Sequence, residues 1–345
     1  MEKNFYYQGP VTDHFDGIHF FHPDYQYKVL PISTILRWKW QTRSLPKWKN
    51  VPHTTPIIPA ASTDALTVTS IGHASMLIQC AGWNILVDPV WSERVSPIRG
   101  FGPRRWNCPG IGFNALPKID IVLISHNHYD HLDTRTLAKL QKAHAPYVIA
   151  PLGNDKIISK AIPGMKTIPL DWWESTTLGT DCKLRISLTP AYHWSARGLR
   201  DRCMALWGGF YIHSPLQPIY IAGDTAFGEG RIFGQIRQQL GPPDVALLPI
   251  GAYAPRPLLQ TMHMNPEEAV KAMELVGAEQ ALGVHWGTFR LSDEEVFDPC
   301  KCLSKALEDR QYPASKFRPI APGQSITFAN SPKDKSSPMN TPKEL

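Results

Sequence analysis

No run in the 345 residues approaches the roughly 20 apolar side chains that a bilayer-spanning helix needs. Met1 to Pro10 has no apolar core of the kind a signal peptide carries, so the expectation is a cytoplasmic protein that meets a membrane only peripherally. The six cysteines, Cys80, Cys108, Cys182, Cys203, Cys300 and Cys302, include no C-x-x-C pair. A chain this long does not depend on disulfides, and free thiols are expected. Cys300 and Cys302 alone make a poor metal site. Charge is sparse, and a net charge of +6 favours phosphate or an acidic surface without being a nucleic-acid signature. No nucleic-acid partner is therefore expected; a homodimer is left open. There is no internal repeat.

Proline (32) and tryptophan (11) are plentiful, which points to many turns and a loop-rich surface. Residues 1–60 are rich in Pro, Trp, Tyr and Phe with little periodicity, and read as an N-terminal arm. Within it, Val29 to Trp40 predicts a short helix. Arg37, Trp38, Lys39, Trp40, Lys47, Trp48 and Lys49 set basic groups beside indoles, as suits a lipid head-group layer. The alternative is an arm packed on the core with solvated lysines. Residues 61–325 are expected to form the main domain and residues 326–345 a disordered tail.

From residue 66, apolar runs predict strands at Leu66–Ser70, Ala74–Cys80, Asn84–Val87, Ile119–Ile124, Tyr147–Ala150, Leu184–Leu188, Ile219–Ala222, Val245–Pro249 and Ala281–Val284. Leu137 and Leu140 lie at helical spacing in Thr134–Ala143, with Asp133 as N-cap. Asn265, Pro266 and Glu268 open a second helix through a near-complete capping box, and Gly277 fits its C′ position. The order implies layered sheets with helices outside.

The strand Ile119–Ser125 runs into His126-Asn-His-Tyr-Asp-His131. If the chain stays extended, His126 and His128 leave one face about 7 Å apart at the backbone, close enough to converge on one ion. Asp130 and His131 follow at the turn. Imidazole and carboxylate without thiolate suit zinc first, then manganese or iron. Three more candidates end apolar runs: His193, Asp224 and His285. Together they would give His126, His128 and His193 to one divalent ion and Asp130, His131 and His285 to another. Asp224 would bridge the two, lowering the repulsion between cations about 3.5–4 Å apart.

His126-x-His-x-Asp-His131 resembles the signature of the metallo-β-lactamase superfamily, and the resemblance implies a four-layer αββα sandwich with the metals at one edge. Several blocks are similar to the N-acyl-phosphatidylethanolamine-hydrolysing phospholipases D within it: Leu123–Asp133, Leu170–Glu174, Ala222–Thr225, Pro249–Tyr253, Asn265–Ala269 and His285–Thr288. They run in order from about Ile71 to Thr288. The resemblance supports the seven ligands residue by residue. It implies a phosphodiesterase that cleaves a phospholipid on the head-group side of phosphate, releasing an N-acylethanolamine. Two positions depart from the mammalian pattern: Met262 stands where a glutamine precedes the family histidine, and Arg99-Gly100 where a Gln-Tyr pair lines the substrate channel.

The expected chemistry is in-line attack on phosphorus by a hydroxide bridging two metal ions, oriented by Asp224. His263 resembles a substrate-side histidine that would donate to the phosphate or leaving group, and Arg197 would contact phosphate. His73 is expected to pack, Asp88 to shape the turn before Pro89, and Asp133 to cap a helix or brace a ligand. Trp172, Trp173, Trp194 and Trp286 would line a lipid cleft or belong to the core. A lactonase or sugar-phosphate hydrolase on the same site, or a membrane-associated metal-binding protein without activity, are the competing readings.

Overall fold

The computed structural model describes residues 3–27, 29–42, 48–52, 54–98, 100–180 and 183–329. Position 99, position 47 and residues 330–345 lie outside it. The first half of the chain builds one mixed sheet from β1 (Thr67–Gly72), β2 (Ser75–Cys80), β3 (Trp83–Val87), β4 (Ile121–Leu123), β5 (Tyr147–Pro151) and β6 (Thr167–Leu170). The second half builds another from β7 (Ser175–Leu178), β8 (Leu184–Thr189), β9 (Gly209–His213), β10 (Ile219–Ile221), β11 (Val245–Pro249), β12 (Gln280–Val284) and β13 (Phe317–Pro319). The chain then returns, and β14 (Ser325–Thr327) pairs antiparallel with β1. The spatial orders are β14-β1-β2-β3-β4-β5-β6 and β13-β12-β11-β10-β9-β8-β7.

The alternation of side chains along a strand explains the layering. Met76, Ile78 and Cys80 of β2 face the core between the sheets, whereas Leu77 faces helices. Val245 and Leu247 of β11 point inward, and Ala246 and Leu248 point outward. Both faces are covered, so these strands read as unbroken apolar runs. On the first sheet lie α2 (Thr134–Ala143) and α3 (Asn154–Ala161), through Leu137, Leu140, Ile157 and Ile158. On the second lie α4 (Arg231–Leu240), α6 (Pro266–Val276) and α7 (Asp298–Glu308), through Phe233, Val270, Met273 and Leu303, with the short α5 (Arg256–Leu259) preceding α6 in the chain. The result is the expected αββα sandwich. The α2 cap at Asp133 accepts from Arg135 N, and the α6 capping box and the left-handed Gly277 are all present.

The first sheet extends past the boundary expected at residue 325. Ile326 and Thr327 extend the first sheet, Thr67 Oγ1 lies 3.0 Å from Thr327 Oγ1, and Phe328 is buried in the inter-sheet core. Three residues are too few to show a period, so this strand was hidden in polar sequence.

The arm is packed. Phe15 and Phe20 enter the inter-sheet core, each contributing about 1.5–3 kcal/mol by burial. α1 (Ile32–Thr42) is held by Trp38, whose Nε1 donates to Asp293 Oδ2 at 2.6 Å, and Trp48 Nε1 donates to Glu294 O at 3.1 Å. Among the described residues, no helix is long and apolar enough to cross a membrane.

One contact makes the arm's attachment pH-sensitive. His14 is buried against Trp172, with Nδ1 2.6 Å from Asp13 Oδ1 and Nε2 2.7 Å from Asp171 Oδ1. Burial opposes its charge, but the hydrogen bonds to Asp171 and Asp13 outweigh that and raise its pKa. A raised folded-state pKa gives stabilisation that is complete below the unfolded value of about 6.5 and is lost as pH rises through the folded value. The expected result is that the melting-temperature gap between wild type and His14→Gln is widest in mild acid and closes on the alkaline side. A gap independent of pH would show that the imidazolium plays no part.

Candidate metal centre

β4 ends at Leu123, and the backbone after it is tied down before the ligand loop begins. Ser125 N donates to Asp88 Oδ1 at 2.7 Å and Ser125 Oγ to Asp88 Oδ2 at 2.6 Å. The loop then closes into a turn, with His131 N and Leu132 N both donating to His128 O. Asp224 arrives from β10 through Gly223, whose φ is +62°. A Cβ there would lie 2.9 Å from both Gly208 O and Ser125 Cβ, so glycine is what permits the loops to meet. His193 follows β8. His285 follows β12 with φ +64°, facing His73 with φ +60°. Left-handed non-glycine residues cost about 1–3 kcal/mol each and persist where the surroundings over-determine them. Here His285 N donates to His73 O and His73 N to Thr288 Oγ1.

These elements bring the seven expected ligands together. His126 Nε2 is 2.8 Å from His128 Nδ1, and His193 Nε2 is 3.3 Å from the same atom. Around a second point, His131 Nε2 is 3.4 Å and His285 Nε2 3.5 Å from Asp130 Oδ2. Asp224 faces both groups: Oδ2 is 3.2 Å from His131, 3.8 Å from His193 and 3.9 Å from His126, and Oδ1 is 3.2 Å from His285. His263 Nδ1 is 3.9 Å from Asp224 Oδ2.

The donor set fits metal ions. The buried atoms His128 Nε2, His131 Nε2, Asp224 Oδ1, His263 Nδ1, His285 Nδ1 and His285 Nε2 have no hydrogen-bond partner. Orphan buried nitrogen and oxygen atoms are uncommon in native folds, and a cation at their convergence would satisfy several of them at once. Groupings of donor atoms within 4.8 Å of one another form around His126–His128–His193, around His73–Asp130–His131–His285, and around Asp224.

Tautomers are set from behind. His126 Nδ1 lies 2.9 Å from Ser125 Oγ, which itself donates to Asp88. His131 Nδ1 donates to Asp88 Oδ2 at 2.7 Å, and His193 Nδ1 to Met262 O at 3.0 Å. Each bond occupies Nδ1 and turns Nε2 toward the cluster, the arrangement metal-ligating histidines use. Burial holds His126 and His193 well below the usual histidine range, with neighbouring imidazoles adding to it for both, and lowers His128 and His263 to about 4. Burial likewise opposes charge on His131 and His285, but Asp224 and Asp130 outweigh it, raising His131 well up and His285 to about 9. Burial would raise the carboxyls of Asp130 and Asp224; the adjacent His131 and His285 hold both well down.

Two residues read as structural in the sequence belong to the centre. Asp88 does shape its turn, yet its carboxylate also orients His131 and Ser125. His73 Nε2 is 2.9 Å from Asp130 Oδ2, and its ring lies 3.9 Å from that of His285. Asp88 shares the signal of the others, a carboxylate at a strand end, whereas His73 sits on a hairpin tip that only the fold carries to the site. Arg197 is placed differently from the expectation. Its Nη1 donates to Asn127 O and Leu132 O, both at 2.8 Å, and its guanidinium stacks 4.0 Å from the Tyr129 ring. It braces the ligand loop from outside the cavity that covers the cluster.

That cavity is about 360 Å³ and reaches His128, Asp130, His193, Asp224 and His263. Its other walls are mainly apolar: Leu30 and Trp38 from the arm, Val95, Trp194, Leu259, Met262 and Leu291. Of the four tryptophans considered for a cleft, Trp194 lines it, whereas Trp172 and Trp286 are buried in the core and Trp173 packs against it.

The pattern of the beta-lactamase superfamily domain matches residues 83–286, which span the ligand loop and end one residue after His285. The N-acyl-phosphatidylethanolamine-hydrolyzing phospholipase D 1 of Caenorhabditis elegans is 36% identical over 259 residues, covering 72% of this chain and 72% of that protein. A metal-dependent hydrolase of Pyrobaculum aerophilum is 31% identical over 229 residues, covering 66% of this chain and 87% of that protein. Among solved structures, the metallo hydrolase Igni18 of Ignicoccus hospitalis shares the fold, with a TM-score of 0.55 at 23% identity over 77% of this chain and 99% of that one. The chain therefore belongs to the metallo-β-lactamase superfamily and is a metal-dependent hydrolase.

Proposed function

We propose that the chain is a phosphodiesterase of the phospholipase D type, acting on N-acyl-phosphatidylethanolamine or a closely related phospholipid. The observation that carries this reading is the cavity. It joins a buried cluster of imidazoles and carboxylates to walls of leucine, valine, methionine and tryptophan, as a molecule with a phosphate at one end and hydrocarbon at the other requires. The similarity to the C. elegans phospholipase supports the same substrate class.

In this reading His126, His128 and His193 would hold one divalent ion, zinc first, and Asp130, His131 and His285 the other, with Asp224 shared. Such a centre would acidify a bound water to a nucleophile near neutral pH and neutralise charge on the phosphate oxygens. The chain does the rest. Asp224, fixed by contacts to both groups, orients the attack. His263, held neutral by burial, offers one N–H to the phosphate or the departing oxygen. The apolar walls exclude water from the acyl chains and fix the direction in which the lipid enters.

The deciding experiment compares turnover of N-acyl-phosphatidylethanolamine, bis(p-nitrophenyl) phosphate and a lactone panel by zinc-loaded protein. Hydrolysis of the phosphodiesters is expected; lactone turnover alone would overturn the reading.

Peripheral membrane contact through α1 belongs to the same proposal. The helix that lends Trp38 to the cavity wall leaves Leu36 and Trp40 more than half exposed. Leu36→Glu/Trp40→Glu protein is expected to stay in the supernatant when phospholipid vesicles are sedimented, where wild type pellets with them; equal pelleting would remove the idea.

A further inference from the structure

Arg202 lines the cavity that covers the ligand cluster, where Arg197 does not reach. Its guanidinium lies 4.1 Å from the centroid of Trp194 and 5.0 Å from that of Tyr27, and its Nε donates to Tyr27 Oη at 3.0 Å. Trp194 in turn meets the ring of His128 at 4.4 Å, so the cation stands two ring contacts from the metal-binding cluster. Among the described residues no carboxylate lies within ion-pair distance of it. Tyr27 is an arm residue whose hydroxyl also touches Cys203 Sγ at 3.1 Å. The arm and the loop after His193 thus hold one guanidinium in a fixed plane.

An arginine has five N–H donors, and this one uses Nε on Tyr27. The Nη groups remain for a ligand. Contact with two aromatic rings restrains the guanidinium without neutralising it, because the rings attract the cation while offering no counter-charge. A guanidinium without an ion-pair partner, set among the apolar walls beside the ligand cluster, is suited to an anionic oxygen and adds nothing for an uncharged substrate.

We propose that Arg202 is a substrate-binding residue that contacts the anionic oxygens of the phosphodiester and sets the preference of the centre for charged over uncharged esters. This rests on the phosphodiesterase reading above. A charge-assisted hydrogen bond of this kind is lost as about tenfold or more in affinity. In zinc-loaded protein, Arg202→Ala is expected to raise KM for bis(p-nitrophenyl) phosphate by about that factor with kcat nearly preserved. KM for an uncharged p-nitrophenyl ester should not move. Arg202→Lys, which keeps charge but loses the planar fork, should recover part of the loss, and Tyr27→Phe, which removes the acceptor for Nε and the contact to Cys203 but keeps the ring, should give a smaller rise.

Calorimetric binding of phenylphosphonate supplies a readout without turnover, and its affinity should fall in parallel. Equal losses on charged and uncharged substrates, or unchanged KM and unchanged phenylphosphonate affinity in Arg202→Ala, would overturn the assignment. If wild type cleaves no phosphodiester yet binds phenylphosphonate through Arg202, the phosphodiesterase reading fails and the anion site stands. If phosphodiesters are cleaved and neither KM nor affinity responds, the reading stands and the assignment fails.

Discussion

Asp224→Asn is expected to lower phosphodiester turnover on the order of a thousandfold, the scale on which a single preorganised charge-stabilising group acts. The substitution keeps the shape and removes the charge. Asp224 is 4% exposed and lies within 4 Å of His126, His131, His193 and His285. No other carboxylate reaches both groups of ligands among the described contacts. Asp130 meets only His73, His131 and His285. Losing the shared anion leaves two cation sites facing each other with one negative charge where there were two. The measurement is turnover together with metal content. Loss of both, or loss of turnover with weakened binding of one ion, fits the shared role; full activity with two ions retained would remove it.

Asp88→Asn is expected to weaken binding of one of the two ions by about 10–100-fold while the other is little changed, the usual effect of removing a partner behind a ligating histidine. Asp88 touches no converging atom. It accepts from His131 Nδ1 and from Ser125, and through Ser125 it reaches His126. Asparagine tolerates the left-handed backbone at this position, where φ is +39°, so the fold is preserved and the change is electrostatic. A chelator-competition titration reads the two affinities separately. Identical affinities in wild type and variant would confine Asp88 to its turn.

What the sequence disclosed follows from how local each signal is. The loop from His126 to His131 packs four ligands of two types into six positions after an apolar strand, and no core requires that density. His193, Asp224 and His285 could be picked out because β8, β10 and β12 are apolar and end abruptly. The α6 boundaries were legible because Asn265, Glu268 and Gly277 are chemical stop and start signs. By contrast, α4 starts at Gly230 with no capping side chain, and β7 is the half-exposed Ser175–Leu178, so neither announces itself. The misplacement of Arg197 has the same origin. Arg197 and Arg202 are close in sequence and equally basic, and only the fold shows that one meets backbone carbonyls while the other is stacked inside the cavity. The position of His73 beside the centre, and that of Tyr27 beside Arg202, depend on packing between segments far apart in the chain.

Metal content is the most direct test of the central claim. Protein stripped with a chelator, titrated with zinc and freed of unbound metal should retain two equivalents per chain by elemental analysis, and Asp224→Asn or Asp88→Asn should retain fewer at limiting zinc. One equivalent or none in the wild-type protein, at zinc concentrations that saturate binding, would contradict the account.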